Sequence, residues 1–140
     1  MVYAEGADPI SAVLKTGTTV SGPGLCLVND GTSNTLDLSA DGEIAIGISA
    51  GDSTRDVDGT LSTAAGATVS FYPLGGVLMV QSEASQTYTT GLLVYVGASG
   101  QVIDSDDHSS KVLGIYVGDG ASSTSAGDLI PVMTAGAATA

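Results

Sequence analysis

The chain has 140 residues, about the size of one domain, and fifteen acidic residues against only Lys15, Arg55 and Lys111 give it a net charge of −12. Three scattered cations cannot displace the counterions of a phosphate backbone, which argues against a nucleic-acid partner. No run approaches the roughly 20 apolar residues of a membrane-spanning helix, the opening MVYAEGADPI lacks the basic start and apolar stretch of a secretory signal, and the lone Cys26 can form no intrachain disulfide.

Residues 1–15, with Gly6 and Pro9, read as an N-terminal arm. They hold Tyr3, Ile10, Val13 and Leu14 without a turn–strand pattern of their own. These four are the candidate interface residues, expected to order only against a neighbouring subunit or a larger surface.

Residues 16–133 read as a single β domain. GLCLVN (24–29), TLDLS (35–39) and EIAIGIS (43–49) are short apolar or alternating runs, and ATVSFYPL (67–74) and GGVLMVQS (75–82) follow them. LLVYV (92–96), QVID (101–104), KVLGIYV (111–117) and DLIPVM (128–133) complete the series. The clusters between them, NDGTSN, SADGE, GASG and SDDHSS, supply the Asn, Asp, Gly and Ser that turn dihedrals favour. SQTYTTGLL (85–93) has room for one helical turn, but no window shows a capped 3.6-residue apolar period. The expectation is an all-β fold of about ten short strands, a small barrel or a sandwich. The final TAGAATA (134–140) reads as a flexible tail.

An internal repeat runs through this series. At a shift of 67 residues Gly24 falls on Gly91, Leu25 on Leu92, Gly47 on Gly114, Ile48 on Ile115 and Gly51 on Gly118, defining units near 24–53 and 91–120. The repeat bears on Gly47-Ile48-Ser49-Ala50-Gly51, which matches the G-x-S-x-G pattern of hydrolase nucleophiles. Ser49 falls on Tyr116, so the glycines persist and the serine does not. No helical stripe follows Gly51, as a nucleophile elbow needs. Ser49 therefore reads as an ordinary strand residue, and no catalytic residue is assigned.

Acidic loops are where a cation would bind, and DVDG (56–59) and DSDD (104–107) both place carboxylates two apart. Neither completes an EF-hand loop. His108 has no second His or Cys to make a zinc site, and Cys26, between two leucines, reads as buried filler. No cofactor or metal is expected.

The order GTTVSGPGLCLV, GEIAIGISAGDS, GATVSFYPLGGVLMVQSEASQTYTTGLLVYVGASGQVID and KVLGIYVGDGASSTSAGDLIPV resembles the capsid cement, or decoration, proteins of tailed bacteriophages, over residues 16–132. The resemblance implies a β-rich protein made in the host cytoplasm that binds the major capsid protein on the outer surface of an assembled head, often as a homotrimer, and stabilises the shell. A head-fibre, tail or surface-layer β module is the alternative, and a small hydrolase a more distant one. The family transfers no catalytic or contact residues to this chain.

Overall fold

A computed structural model describes residues 8–31, 34–105 and 111–139, with side chains to residue 134. Ten strands fill it: β1 (Ile10–Val13), β2 (Cys26–Asn29), β3 (Leu36–Leu38), β4 (Gly47–Ser49) and β5 (Thr68–Pro73), then β6 (Gly76–Gln81), β7 (Leu93–Val96), β8 (Val102–Ile103), β9 (Val112–Tyr116) and β10 (Leu129–Thr139). The one helical element among the described residues is a 3-10 turn at Ala98–Gly100. It falls in the GASG turn and not in SQTYTTGLL.

The strands form two antiparallel five-stranded sheets, in the order β1-β5-β4-β2-β3 and β6-β10-β9-β7-β8. Neither sheet closes into a barrel, so the architecture is sandwich-like. Among the described residues the edges of each sheet touch at one isolated parallel bridge, Leu14 to Leu36 in the first and Ser82 to Val102 in the second, and not along a ladder. Alternation sets which side chains turn inward: Val69 and Phe71 on β5, Leu78 and Val80 on β6, Ile130 and Val132 on β10.

The internal repeat is a repeat of topology. Replacing β1 to β5 by β6 to β10 converts one sheet order into the other. The shift of 67 carries β2 onto β7 residue by residue. Backbone bonds repeat with it: Gly24 N–H to Ser49 O and Gly91 N–H to Tyr116 O are both 2.9 Å. Both corner glycines have left-handed backbone, φ 94° and 88°. Register extends the equivalence to the flanking strands. Leu14 and Ser82, the residues after β1 and β6, donate their N–H groups to Ala67 and Asp128 at 2.8 Å each. The shift is not uniform along the chain, because the β4–β5 connection (50–67) is longer than the β9–β10 connection (117–128).

Two apolar cores result. Leu14, Val20, Leu25, Leu27, Leu36, Val69 and Phe71 fill the first unit. In the second, Leu78, Val80, Val94, Val102, Leu113 and Val132 are joined by Cys26 and Ile48 of the first sheet, which ties the units together. Further bonds cross the joint: Gln81 N–H to Gly24 O at 2.7 Å, and Ser39 Oγ donating to Gly97 O at 2.9 Å.

Two sequence expectations change here. The sequence reads residues 1–15 as an arm, yet Ile10–Val13 is an edge strand paired antiparallel to β5, with Ile10 opposite Phe71 and Val13 opposite Thr68. A four-residue edge strand takes its conformation from its partner's ladder, so it needs no flanking turn signal. The sequence reads residues 134–140 as a flexible tail, yet β10 runs to Thr139, which pairs with Val112 after a register shift. Backbone ladder bonds do not require the alternating apolar side chains that AGAAT lacks.

Candidate interaction surface

Ser49 is 1% exposed, and backbone groups occupy its hydroxyl. Its Oγ accepts from Leu25 N–H and donates to Gly22 O, both at 2.9 Å. The side chain thus fastens the Gly22–Leu25 corner from inside. Burial pushes the Cys26 thiol up to about 12, which keeps it protonated and poorly nucleophilic at neutral pH.

The acidic loops are knitted locally. Asp58 accepts from both the N–H and the hydroxyl of Thr60, at 3.0 and 2.7 Å, and these bonds hold its carboxyl below the usual range. Asp52 is lowered by its bond from Arg55. Asp104 Oδ2 accepts from Thr87 N–H at 2.6 Å. Among the described residues, no three His, Cys, Asp or Glu side chains gather as a metal site would need. His108, Asp106 and Asp107 lie outside the described residues.

Of the candidate interface residues, Ile10 and Val13 lie on the exposed edge strand β1. Leu14 does not join them. It is almost wholly buried in the first core, held there by its bond to Ala67 O and its bridge to Leu36. Tyr3 lies outside the described residues.

The surface that the sequence reading missed is the outer face of the second sheet. Met133 of β10 stands opposite Val77 of β6 and Ile115 of β9, and Ile115 stands opposite Leu93 of β7. This uncharged row crosses four strands, and Met79 and Leu129 flank it. Leu93 and Met133 are close to half exposed, and Leu92 just before β7 is 60% exposed. Alternation along LLVYV and DLIPVM contains the signal, because one face of each strand faces the core and the other is still apolar. Val57 is a separate feature, fully exposed at the tip of the loop pinned by the Arg55–Leu61 bridge.

No protein family and no curated protein matches the chain. Among solved structures it is similar to the crystal structure of the head fiber gp8.5 N base of bacteriophage phi29, with a TM-score of 0.59 and 19% sequence identity. The match covers 95% of this chain and 99% of that one. At this identity the likeness is one of fold, and it takes in both units.

Proposed function

We propose that the chain is a structural protein of a tailed-phage virion, seated on the outer surface of the head through the major capsid protein. The observation that carries this reading is the fold shared end to end with the head fiber base. The same observation favours the role of a fibre base. Cementing of the shell is the second reading, supported by the resemblance over residues 16–132. In both roles the working form is a homotrimer, made in the host cytoplasm and added to the assembled head, because linked weak contacts sum to firm retention on a lattice. A net charge of −12 suits a surface turned to solvent, with contact made through its uncharged faces.

The test is quantitative mass spectrometry of purified virions, with electron microscopy of virions carrying a tagged copy. Label on the outside of the head supports the reading. Label on the tail, or absence of the protein from virions, overturns it. Adding purified protein to heads that lack it then separates the two roles. A cement raises the temperature at which heads rupture, since a ligand specific to the intact lattice stabilises it by mass action; a fibre base binds and leaves that temperature unchanged.

A further inference from the structure

The two units are equivalent in fold but not in what covers them. On the first sheet Cys26 stands opposite Ile48, and Ile48 opposite Tyr72. On the second sheet the equivalent row is Leu93, Ile115 and Met133, in the same register. The first row is buried against the second unit: Cys26 is 0% and Ile48 1% exposed, and both belong to the core that unit forms. In the second row Leu93 is 44% and Met133 46% exposed. The corners before the rows differ in the same sense, Leu25 being 6% exposed and Leu92 60%.

What covers the first corner is known in detail. Gly24 O accepts from Gln81 N–H, Pro23 O accepts from Gln81 Nε2 at 2.9 Å, and Leu25 lies against Gly100. The first unit therefore docks its corner on the β6 edge of the second. By the register of the repeat, Val13 on the β1 edge stands where Gln81 stands on β6. Val13 is also exposed.

We infer that a second copy of this chain covers the outer face of the second unit, its β1 edge receiving the Gly91–Leu93 corner as β6 receives the Gly24 corner within one chain. The contact is head-to-tail: the second unit of one copy meets the first unit of the next. It continues the joint already present inside the chain, and such heterologous contacts close into rings when the rotation allows. The row and its corner carry no charge, which lets copies meet despite the −12 that each bears. The inference names the surfaces of the homotrimer in the reading above, and rests on that part of it alone, not on the placement in a virion.

Sedimentation and light scattering test it on the full chain. The unmodified protein should be a closed oligomer and Leu93→Glu a monomer with an unchanged β spectrum, while Val57→Glu at the remote loop tip should leave the oligomer intact. A monomeric unmodified protein, or an oligomer that survives Leu93→Glu and Met133→Glu, overturns the inference. Crosslinking keeps the geometry falsifiable by itself. Copies carrying Leu92→Cys, mixed with copies carrying Val13→Cys, should form a mixed disulfide under mild oxidation. Coupling of Leu92→Cys chains to each other in its place would mean a symmetric contact and overturn the head-to-tail arrangement. Head binding is measured separately, so a monomer that still seats on heads counts against this contact and not against the virion reading.

Discussion

Ser49 and Tyr116 hold the same place in the two units, their N–H groups donating to the carbonyls of Leu25 at 2.8 Å and Leu92 at 3.0 Å. Their side chains part company there. The Ser49 hydroxyl turns back to clamp its own corner, whereas the Tyr116 ring stacks on Tyr88 with 5.6 Å between centroids. Ser49→Ala leaves the buried N–H of Leu25 without its partner, and should lower unfolding free energy by about 1–3 kcal/mol. Urea denaturation followed by circular dichroism measures it. An unchanged midpoint would mean that the Gly24–Ser49 backbone bond holds the corner alone.

Gly47 and Gly114, the paired glycines of the repeat, admit β5 and β10 to close approach. A Cβ on Gly114 would strike the carbonyl of Met133 and lie 2.9 Å from Thr134 Cα, both backbone atoms that cannot swing aside. On Gly47 it would strike the Phe71 ring and lie 2.8 Å from Tyr72 O. Gly114→Ala should cost about 3 kcal/mol or more, with Gly47→Ala somewhat less where the ring can yield. Gly51→Ala, with nothing within 4 Å, should stay within about 0.5 kcal/mol. Melting temperatures in that order support the close-approach account, and equal ones refute it.

Leu14 and Ile10, four residues apart, should respond in opposite ways. Leu14→Ala opens a hole in the first core and should destabilise by about 2–5 kcal/mol. Ile10→Ser, on the outer edge, should shift stability by under about 1 kcal/mol. Chemical denaturation of the two variants decides whether this stretch belongs to the domain or to an arm.

The strands from β2 to the start of β10 were legible because each is an apolar or alternating run bounded by Gly, Asn, Asp or Ser. The duplication was legible because Gly24, Gly91, Gly47 and Gly114 mark corners and close approaches that only small residues permit. β1 was not, since ISAV has no pattern until β5 lies beside it. Nor was the burial of Leu14, which depends on a bridge to Leu36 from a different strand. The outer face of the second sheet was hidden for another reason: an apolar side chain looks alike in sequence whether the fold buries it, as at Cys26, or leaves it close to half exposed, as at Leu93.

Alkaline pH should weaken the fold. Burial raises Cys26 from 9.0 to about 12 and Tyr88 from 10.0 to about 12. For Tyr88 the bond with Ser82 opposes that rise, and the charges of Asp104 and Glu83 add to it. Both groups bind their protons more tightly folded than unfolded. Their contribution is complete below about pH 9 and is lost as pH rises toward 12, at about 1.4 kcal/mol for each unit of difference. Denaturation midpoints at pH 7, 9.5 and 11 should fall in that order. Tyr88→Phe should flatten the fall while lowering stability at pH 7, because it removes the bonds to Ser82 and to Val102 O. The Cys26 thiol should react with a disulfide reagent at pH 8 only after denaturant is added; prompt reaction in the native protein would contradict its burial.

In both sheets the strand made last is an inner one. β5 lies between β1 and β4, and β10 between β6 and β9. During synthesis the second sheet therefore has a gap beside β6 until β10 has been made, with β6 parted from the β9-β7-β8 group. Until then the Cys26–Ile48 row of the first sheet also waits uncovered. A nascent chain stalled before residue 129 is thus open in two places at once, and β10 is the strand that closes the second sheet.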